Sequence, residues 1–325
     1  MRAARCLAYG SPSTVVVVEV PDPVPSAGQV VVDVAAAAVN FPDVLVVADK
    51  YQINIPVPFT VGSEFAGTVR ALGDGVDGLS VGDRVMGSAL FGAFAQQISV
   101  AAGSLRTVDP AVDLATAAAS GVAHCTAYHA LRSVARIQPG EWAVVLGAAG
   151  GVGLAAVELG AALGARVVAA ASSSEKLALC LGRGAEAGVN YGTEDLKVRI
   201  KEITGGGAQV VVDPVGGSVA EPALRALAWG GRFVSVGFAS GEIPRIPLNL
   251  VLLKGVWVTG FTMEGFARHQ AGDRERDLAE LAELTRTGAA APYISATYPL
   301  DQVGRALSDL SERRATGKVL VDPNR

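Results

Sequence analysis

Hydrophobic positions along the chain fall into three successive patterns. In the first third they form short Val- and Ala-rich runs, Thr14–Val20 and Gln29–Val39, with further runs around Gly67–Ala71, Arg84–Met86 and Phe94–Val100. Gly separates these runs, and Pro21-Asp22-Pro23-Val24-Pro25 forces a non-helical connection between the first two. Strands this closely spaced predict a sheet or a partly open barrel rather than βαβ units.

The pattern changes near Ala115. A helical stretch from Leu114 to Arg136 leads into apolar strands at Trp142–Leu146, Arg166–Ala170, Ala208–Asp213, Gly231–Val236 and Val256–Gly260. Helical segments at Gly153–Leu163, Glu175–Arg183 and Val219–Trp229 alternate with them. Short, continuously apolar strands between helices predict a parallel sheet covered on both faces, the doubly wound nucleotide-binding architecture. Near the C-terminus, Asp277–Thr285 and Asp301–Ser311 return to helical spacing, with Val303, Ala306, Leu307 and Leu310 on one stripe. Gly317-Lys318 then opens a final strand, Val319–Val321. The fold class is α/β. A β-rich domain is expected from both chain ends, residues 1–120 and 262–325, with a nucleotide-binding domain inserted at 121–261.

Composition narrows the classes. A chain of 325 residues that is 50% hydrophobic and 18% charged is not disordered, and its length favours two domains. A net charge of −4 gives no basic excess for nucleic acid and no single-sign field for a membrane surface. Cys6, Cys125 and Cys180 are too few and too scattered for a disulfide framework or a zinc knuckle. They fit a reducing cytosol, so a cytoplasmic location is expected. No long apolar run follows Met1-Arg2-Ala3-Ala4-Arg5, so no secretory signal is read there. One long uncharged stretch, Leu114 to Leu131, carries Ser, Thr, Gly and two His, and reads as a buried soluble segment rather than a membrane span.

The sharpest local signal is Gly147-Ala148-Ala149-Gly150-Gly151-Val152-Gly153, which follows a strand and opens a helix. That is the context a dinucleotide fingerprint requires. Gly150 and Gly151 would let backbone N–H groups approach a pyrophosphate, and Gly153 would let the helix pack closely on the sheet. NAD-specific sites place Asp or Glu at the end of the second strand to hold the ribose hydroxyls. Here that strand ends Ala169-Ala170-Ala171-Ser172-Ser173-Ser174-Glu175-Lys176, with hydroxyls and a Lys where an acid would stand. This suits a 2′-phosphate, so NADPH is the expected cofactor. Glu175 either faces the ribose or, with Ser172, forms a capping box for the next helix.

These motifs, taken in order, resemble the zinc-independent quinone oxidoreductase branch of the medium-chain dehydrogenase/reductase superfamily, which includes zeta-crystallin. The markers are Val39-Asn40-Phe41-Pro42-Asp43, Pro58 to Gly67, Val81-Gly82-Asp83-Arg84-Val85, Thr126-Ala127-Tyr128-His129-Ala130-Leu131, Ala148 to Gly153, and Ala315-Thr316-Gly317-Lys318-Val319. The resemblance runs along essentially the whole chain. It implies a GroES-like catalytic domain, a Rossmann domain with NADPH in the cleft between them, and reduction of quinones or activated carbon–carbon double bonds. It implies that Ala149, Gly150, Gly151, Val152 and Gly153 carry the pyrophosphate. Ser172, Ser173, Lys176 and Tyr191 would grip the 2′-phosphate, with Arg314 and Lys318 as basic residues from the C-terminal end. Tyr191 reads equally as a residue packed at the end of the third strand, and Arg314 as a solvated helix-end charge. Gly237, Phe238 and Phe261 end the last Rossmann strands, where the nicotinamide would lie.

Zinc-dependent relatives supply Cys and His to a catalytic metal, and here Asn40 and Ser63 stand at those positions. No metal site is expected, and His124, Cys125 and His129 read as packing residues. Without a zinc Lewis acid, a conjugated acceptor is the easier substrate, because conjugation already spreads the developing charge. Asn40 and Tyr51 are the candidate donors to the acceptor's carbonyl oxygen. Asp43 would order Asn40, a water or the ribose, and Thr126 matches a residue beside the nicotinamide. Asn40 and Asp43 read alternatively as stabilisers of the turn after their strand, and Glu64 as structural. The rival readings are an enoyl-thioester reductase on the same fold, an idle NADPH-binding protein, and a zinc alcohol dehydrogenase. Pairing of the exposed edge at Val256–Gly260 makes a homodimer the expected assembly.

Overall fold

The computed structural model describes residues 1–325 and divides them into two units, Met1–Val122 with Ala291–Arg325, and Ala123–Ala290. Gln29–Val39 (β3) organises the first unit. It is preceded by Arg2–Cys6 (β1) and Val15–Glu19 (β2), and followed by the helix Phe41–Val47 (α1). Phe59–Thr60 (β4), Glu64–Leu72 (β5), Arg84–Ser88 (β6), Gln97–Ala101 (β7), Leu105–Thr107 (β8) and the helix Leu114–Ser120 (α2) come next. With 11 residues, β3 is long enough to serve three partners, and β5 lies along one side of it. On the other side β7 covers its first half, and a C-terminal strand described below covers its end. Its alternate residues Val30, Val32 and Val34 enter the core with Phe65, Val69, Val85 and Phe94, as the two-residue period of a strand dictates.

The second unit begins with Ala123–His129 (α3). It continues through Trp142–Leu146 (β9), Gly151–Ala162 (α4), Arg166–Ala171 (β10), Ser174–Leu181 (α5), Ala187–Asn190 (β11) and Leu196–Thr204 (α6). Ala208–Asp213 (β12), Ala220–Arg225 (α7), Leu227–Ser235 (β13), Leu248–Lys254 (α8) and Trp257–Gly260 (β14) complete the sheet, and Met263–His269 (α9) and Ala271–Arg286 (α10) follow. Its six strands lie in the order β11-β10-β9-β12-β13-β14, all parallel. In the order of their appearance this is 3-2-1-4-5-6, the doubly wound arrangement. Every residue of the central strand β9 is buried, which explains its unbroken apolar run. The chain then returns to the first unit through Ile294–Pro299 (β15), Val303–Ser311 (α11) and Lys318–Asp322 (β16). The α11 stripe buries Val303, Ala306 and Leu307, with Leu310 packed beside them.

Two expectations change. The helix read from Leu114 to Arg136 breaks into α2 and α3, followed by a π turn at Ala130–Val134. The break falls where the Glu64 carboxylate takes the Val122 backbone N–H at 2.6 Å, and where a side chain on Gly121 would meet Glu64 Oε1 at 2.8 Å. The second domain boundary lies at Ala290/Ala291 rather than after residue 261. The reason is that α10 is tied to α3 and the π turn: Tyr128 donates to Glu280 at 2.6 Å, Arg132 Nε to Glu280 at 3.0 Å, and His129 Nδ1 lies 2.8 Å from Asp277 Oδ2.

Candidate active site

In a parallel sheet all C-terminal strand ends lie together, and the second unit gathers its expected cofactor residues there. Gly147 leaves β9 with φ +57°, the left-handed region that favours glycine. Gly150 N–H returns to the Gly147 carbonyl at 2.9 Å, and Leu154 N–H, bonded to Gly150 O at 2.7 Å, is the first amide satisfied inside α4. The amides of Gly151, Val152 and Gly153 therefore stand in the first turn, where helix geometry offers them no partner. Gly153 crosses the turn so tightly that a Cβ there would lie 2.2 Å from the Gly147 oxygen. Ala148 and Ala149 are buried beneath, with Ala148 N–H held by Ala170 O at 3.0 Å. The turn has the shape and the donors for an anion.

The next two strand ends sit side by side. Ala171 pairs with Asn190, and Tyr191 N–H reaches back to Ala171 O at 3.1 Å. Ser172 and Tyr191 therefore follow neighbouring strand ends, and Ser173 and Lys176 stand at the head of the helix that follows β10. The cap of α5 is Ser173, whose hydroxyl accepts from Lys176 N–H at 3.3 Å, not Ser172 with Glu175 as the sequence suggests. Ser172 is thereby free of capping duty and exposed. Tyr191 also packs against the core of the sheet. At the far strands, Phe238 is partly exposed with its ring edge near Gly216, and Gly237 has only ordinary contact with Pro214 O. Phe261 stacks in a cluster with Phe266 and His129, at centroid distances of 5.5 and 6.4 Å. Thr126 is buried on α3, one turn before His129.

Asp213, the last residue of β12, organises the turn that follows it. Its Oδ1 accepts the Val215 and Gly216 amides, both at 2.8 Å, while its buried Oδ2 has no partner. Burial raises its carboxyl above the ordinary range. The local signal was Asp213-Pro214-Val215-Gly216-Gly217, an Asx-turn composition.

In the first unit the hydrogen bonding bears on three of the candidate residues. Lys318, read as a cofactor contact, is buried. Its ammonium is buried and donates to Asn40 Oδ1 at 2.7 Å, Glu64 Oε2 at 3.0 Å and Val39 O at 3.4 Å. Asn40 is in turn fully engaged, because Nδ2 donates to Glu64 Oε2 at 2.9 Å and Ala38 O at 3.3 Å. Both amide hydrogens are used, so Asn40 has none for a substrate carbonyl. The flipped amide is excluded, since an ammonium offers only donors and must face Oδ1. Arg314 is ion-paired with Asp309, Nε to Oδ1 at 2.8 Å, so its guanidinium serves the end of α11.

Asp43 and Tyr51 remain from the catalytic candidates in this unit. Asp43 caps the start of α1, its Oδ2 accepting Asn40 N–H at 2.7 Å. Burial pushes its carboxyl up to about 7, against the opposing pull of hydrogen bonds from Ser63 and Asn40 N–H and of the Lys318 charge. Tyr51, in the loop after α1, packs half-buried on the core of this unit.

Comparison with known proteins agrees along the whole chain. Residues 26–110 match the family model described as alcohol dehydrogenase GroES-like domain, and 151–283 match that described as zinc-binding dehydrogenase. Quinone oxidoreductase-like protein 2 of Rattus norvegicus is 38% identical over 322 residues, covering 98% of this chain and 91% of the relative. Quinone oxidoreductase 1 of Escherichia coli is 32% identical, covering 97% of each chain. The structure of Escherichia coli quinone oxidoreductase complexed with NADPH superposes with a TM-score of 0.93 at 30% identity, covering 99% of this chain and 100% of that one. With strand order, glycine turn and full-length likeness in agreement, the chain belongs to the quinone oxidoreductase type of the medium-chain dehydrogenase/reductase superfamily.

Proposed function

We propose that this protein is an NADPH-dependent oxidoreductase that reduces a quinone, or a carbon–carbon double bond conjugated to a carbonyl, without zinc. The observation that carries the cofactor assignment is the joint ending of β10 and β11, which places Ser172 and Tyr191 just past paired strand ends, with Ser173 and Lys176 at the head of α5 and no carboxylate at the strand end itself. These residues would hold the 2′-phosphate, and the amides of Gly151, Val152 and Gly153 the pyrophosphate. Gly237, Phe238, Phe261 and Thr126 would shape the nicotinamide end. Lys318 is not assigned to the cofactor, because its buried ammonium is held by Glu64, Asn40 and Val39; Arg314, half-exposed and paired with Asp309, is taken as the helix-end charge. When bound, the nicotinamide supplies the hydride that the acceptor carbon receives. The chain's own part is to hold the acceptor in line, exclude water and donate to its carbonyl oxygen, a role assigned to the Tyr51 hydroxyl.

Zinc does not fit the residues present, although one matching family model is named for it. Asn40 and Ser63 replace the expected Cys and His, and a buried lysine ammonium already occupies the Asn40 oxygen at 2.7 Å. No cluster of three or more His, Cys, Asp or Glu side chains is placed to hold a metal. The acceptor class is supported by the quinone oxidoreductase relatives. A screen of NADPH oxidation across quinones, enones, enals and enoyl-thioesters tests it: turnover confined to enoyl-thioesters would overturn the reading, and so would no turnover at all.

The assembly assigned to the protein is a homodimer through β14. This strand closes the sheet with an unpaired edge, and Trp257 and Val258 on it are exposed, as is Trp229 beside Gly255. Two copies related by a two-fold axis would pair these edges antiparallel, satisfying backbone groups and covering the tryptophans in one step. No helix is long and apolar enough to cross a membrane.

A further inference from the structure

Lys318, Glu64 and Asn40 are far apart in sequence and come together through sheet register alone. Val39 pairs with Val319 across β3 and β16, and Ala38 pairs with Glu64 across β3 and β5. The three side chains then meet out of solvent, Lys318 at 3% and Glu64 at 0% exposure. Their hydrogen bonding closes completely. The ammonium has three acceptors, the Asn40 carboxamide uses both hydrogens and its oxygen, and Glu64 Oε1 takes the Val122 amide. A second loop of contacts returns through the backbone. Asn40 N–H donates to Asp43, Asp43 is hydrogen-bonded to Ser63, and Ser63 adjoins Glu64 in the chain.

Burying two full charges is a costly way to gain stability, and well-packed apolar residues commonly serve at least as well. What the pair supplies is direction. An ammonium only donates and a carboxylate only accepts, so each partner's orientation is set. We propose that Lys318 is a positioning residue of the reductase. Its ammonium orients the Asn40 carboxamide and the Glu64 carboxylate, and through them holds the head of α1, with Asp43 and Ser63, in the arrangement that acceptor reduction requires. This role rests on the reductase reading given above. It differs from the phosphate contact that a Lys in this C-terminal motif suggests, and the two have opposite kinetic signatures.

The test compares wild type, Lys318→Met, and the double variant Lys318→Met with Glu64→Gln, whose neutral glutamine removes the unpaired buried charge. Steady-state kinetics with NADPH and with NADH are read beside the NADPH dissociation constant from cofactor fluorescence and the melting temperature. The positioning role gives a kcat lower by roughly tenfold to a hundredfold with both cofactors in both variants. The NADPH dissociation constant stays within about twofold of wild type, and the double variant regains melting temperature without regaining kcat. Weaker binding of NADPH alone would overturn the proposal in favour of a phosphate contact. A lowered melting temperature with unchanged kcat would reduce Lys318 to a structural residue. Absence of turnover in the wild-type protein would overturn the reductase reading, and this role with it.

Discussion

Gly153 lies against the Gly147 carbonyl so closely that a Cβ on Gly153 would stand 2.2 Å from its oxygen. The clash is with backbone, which cannot swing aside as a side-chain end would. Gly153→Ala must therefore open the turn that presents the Gly151 and Val152 amides. The expected result is an NADPH dissociation constant raised by roughly tenfold or more, as for lost charge-assisted hydrogen bonds. Fluorescence titration checks this, and wild-type affinity in the variant would show that the turn does not carry the pyrophosphate.

Asp43 makes stability depend on pH with a defined sign. Its carboxyl titrates near 3.8 when exposed and near 7 in the fold, because burial disfavours the charged form. A carboxyl raised in this way gives its full stabilisation below the unfolded value and loses it as pH rises through the folded value. The loss falls between about pH 4 and pH 7. Asp43→Asn removes the titrating group, so its melting temperature relative to wild type should climb across that window and level off above it. A constant difference from pH 4 to pH 8 would contradict the assignment.

Tyr51 is the remaining donor assigned to the acceptor's carbonyl oxygen in the first unit, since the Asn40 amide is consumed by Glu64 and Ala38. Tyr51→Phe keeps the packed ring and removes the hydroxyl. We expect kcat/KM to fall roughly tenfold with several acceptors, the scale of one lost hydrogen bond of about 1.5 kcal/mol. Full activity with all of them would remove Tyr51 from the reaction.

Trp257→Lys places a charge on the exposed edge strand, a device by which natural sheets prevent edge pairing. Light scattering at micromolar concentration should report a dimer for wild type and a monomer for the variant. A wild-type monomer would remove the edge-to-edge assembly.

The doubly wound sheet was the most legible part of the chain. Trp142–Leu146 and Ala208–Asp213 are strands over the limits their apolar runs suggest, because buried parallel strands need apolar residues on both faces. The glycine turn was legible for a related reason, since only glycine tolerates the Gly147–Gly153 approach. Segments whose partners are distant were harder to read. Ser120-Gly121 is only a weak local sign of a helix break, and the carboxylate that crowds it belongs to Glu64, 57 residues earlier. The pairing of Lys318 with Asn40 spans 278 residues and exists only through the β3–β16 register, so a lysine that reads as a cofactor contact is a buried one. Asn40 failed as a substrate donor for the same reason: its residue type allows the chemistry, and its neighbours take it away.

The most direct measurement is kcat/KM for NADPH and for NADH with a simple benzoquinone, in wild type and in Lys176→Ala. Quinone-dependent oxidation with NADPH favoured over NADH is expected. Lys176→Ala should lose roughly tenfold or more with NADPH, with NADH little changed. Equal efficiency with the two cofactors, or NADPH binding without oxidation in the presence of the quinone, would contradict the proposed function.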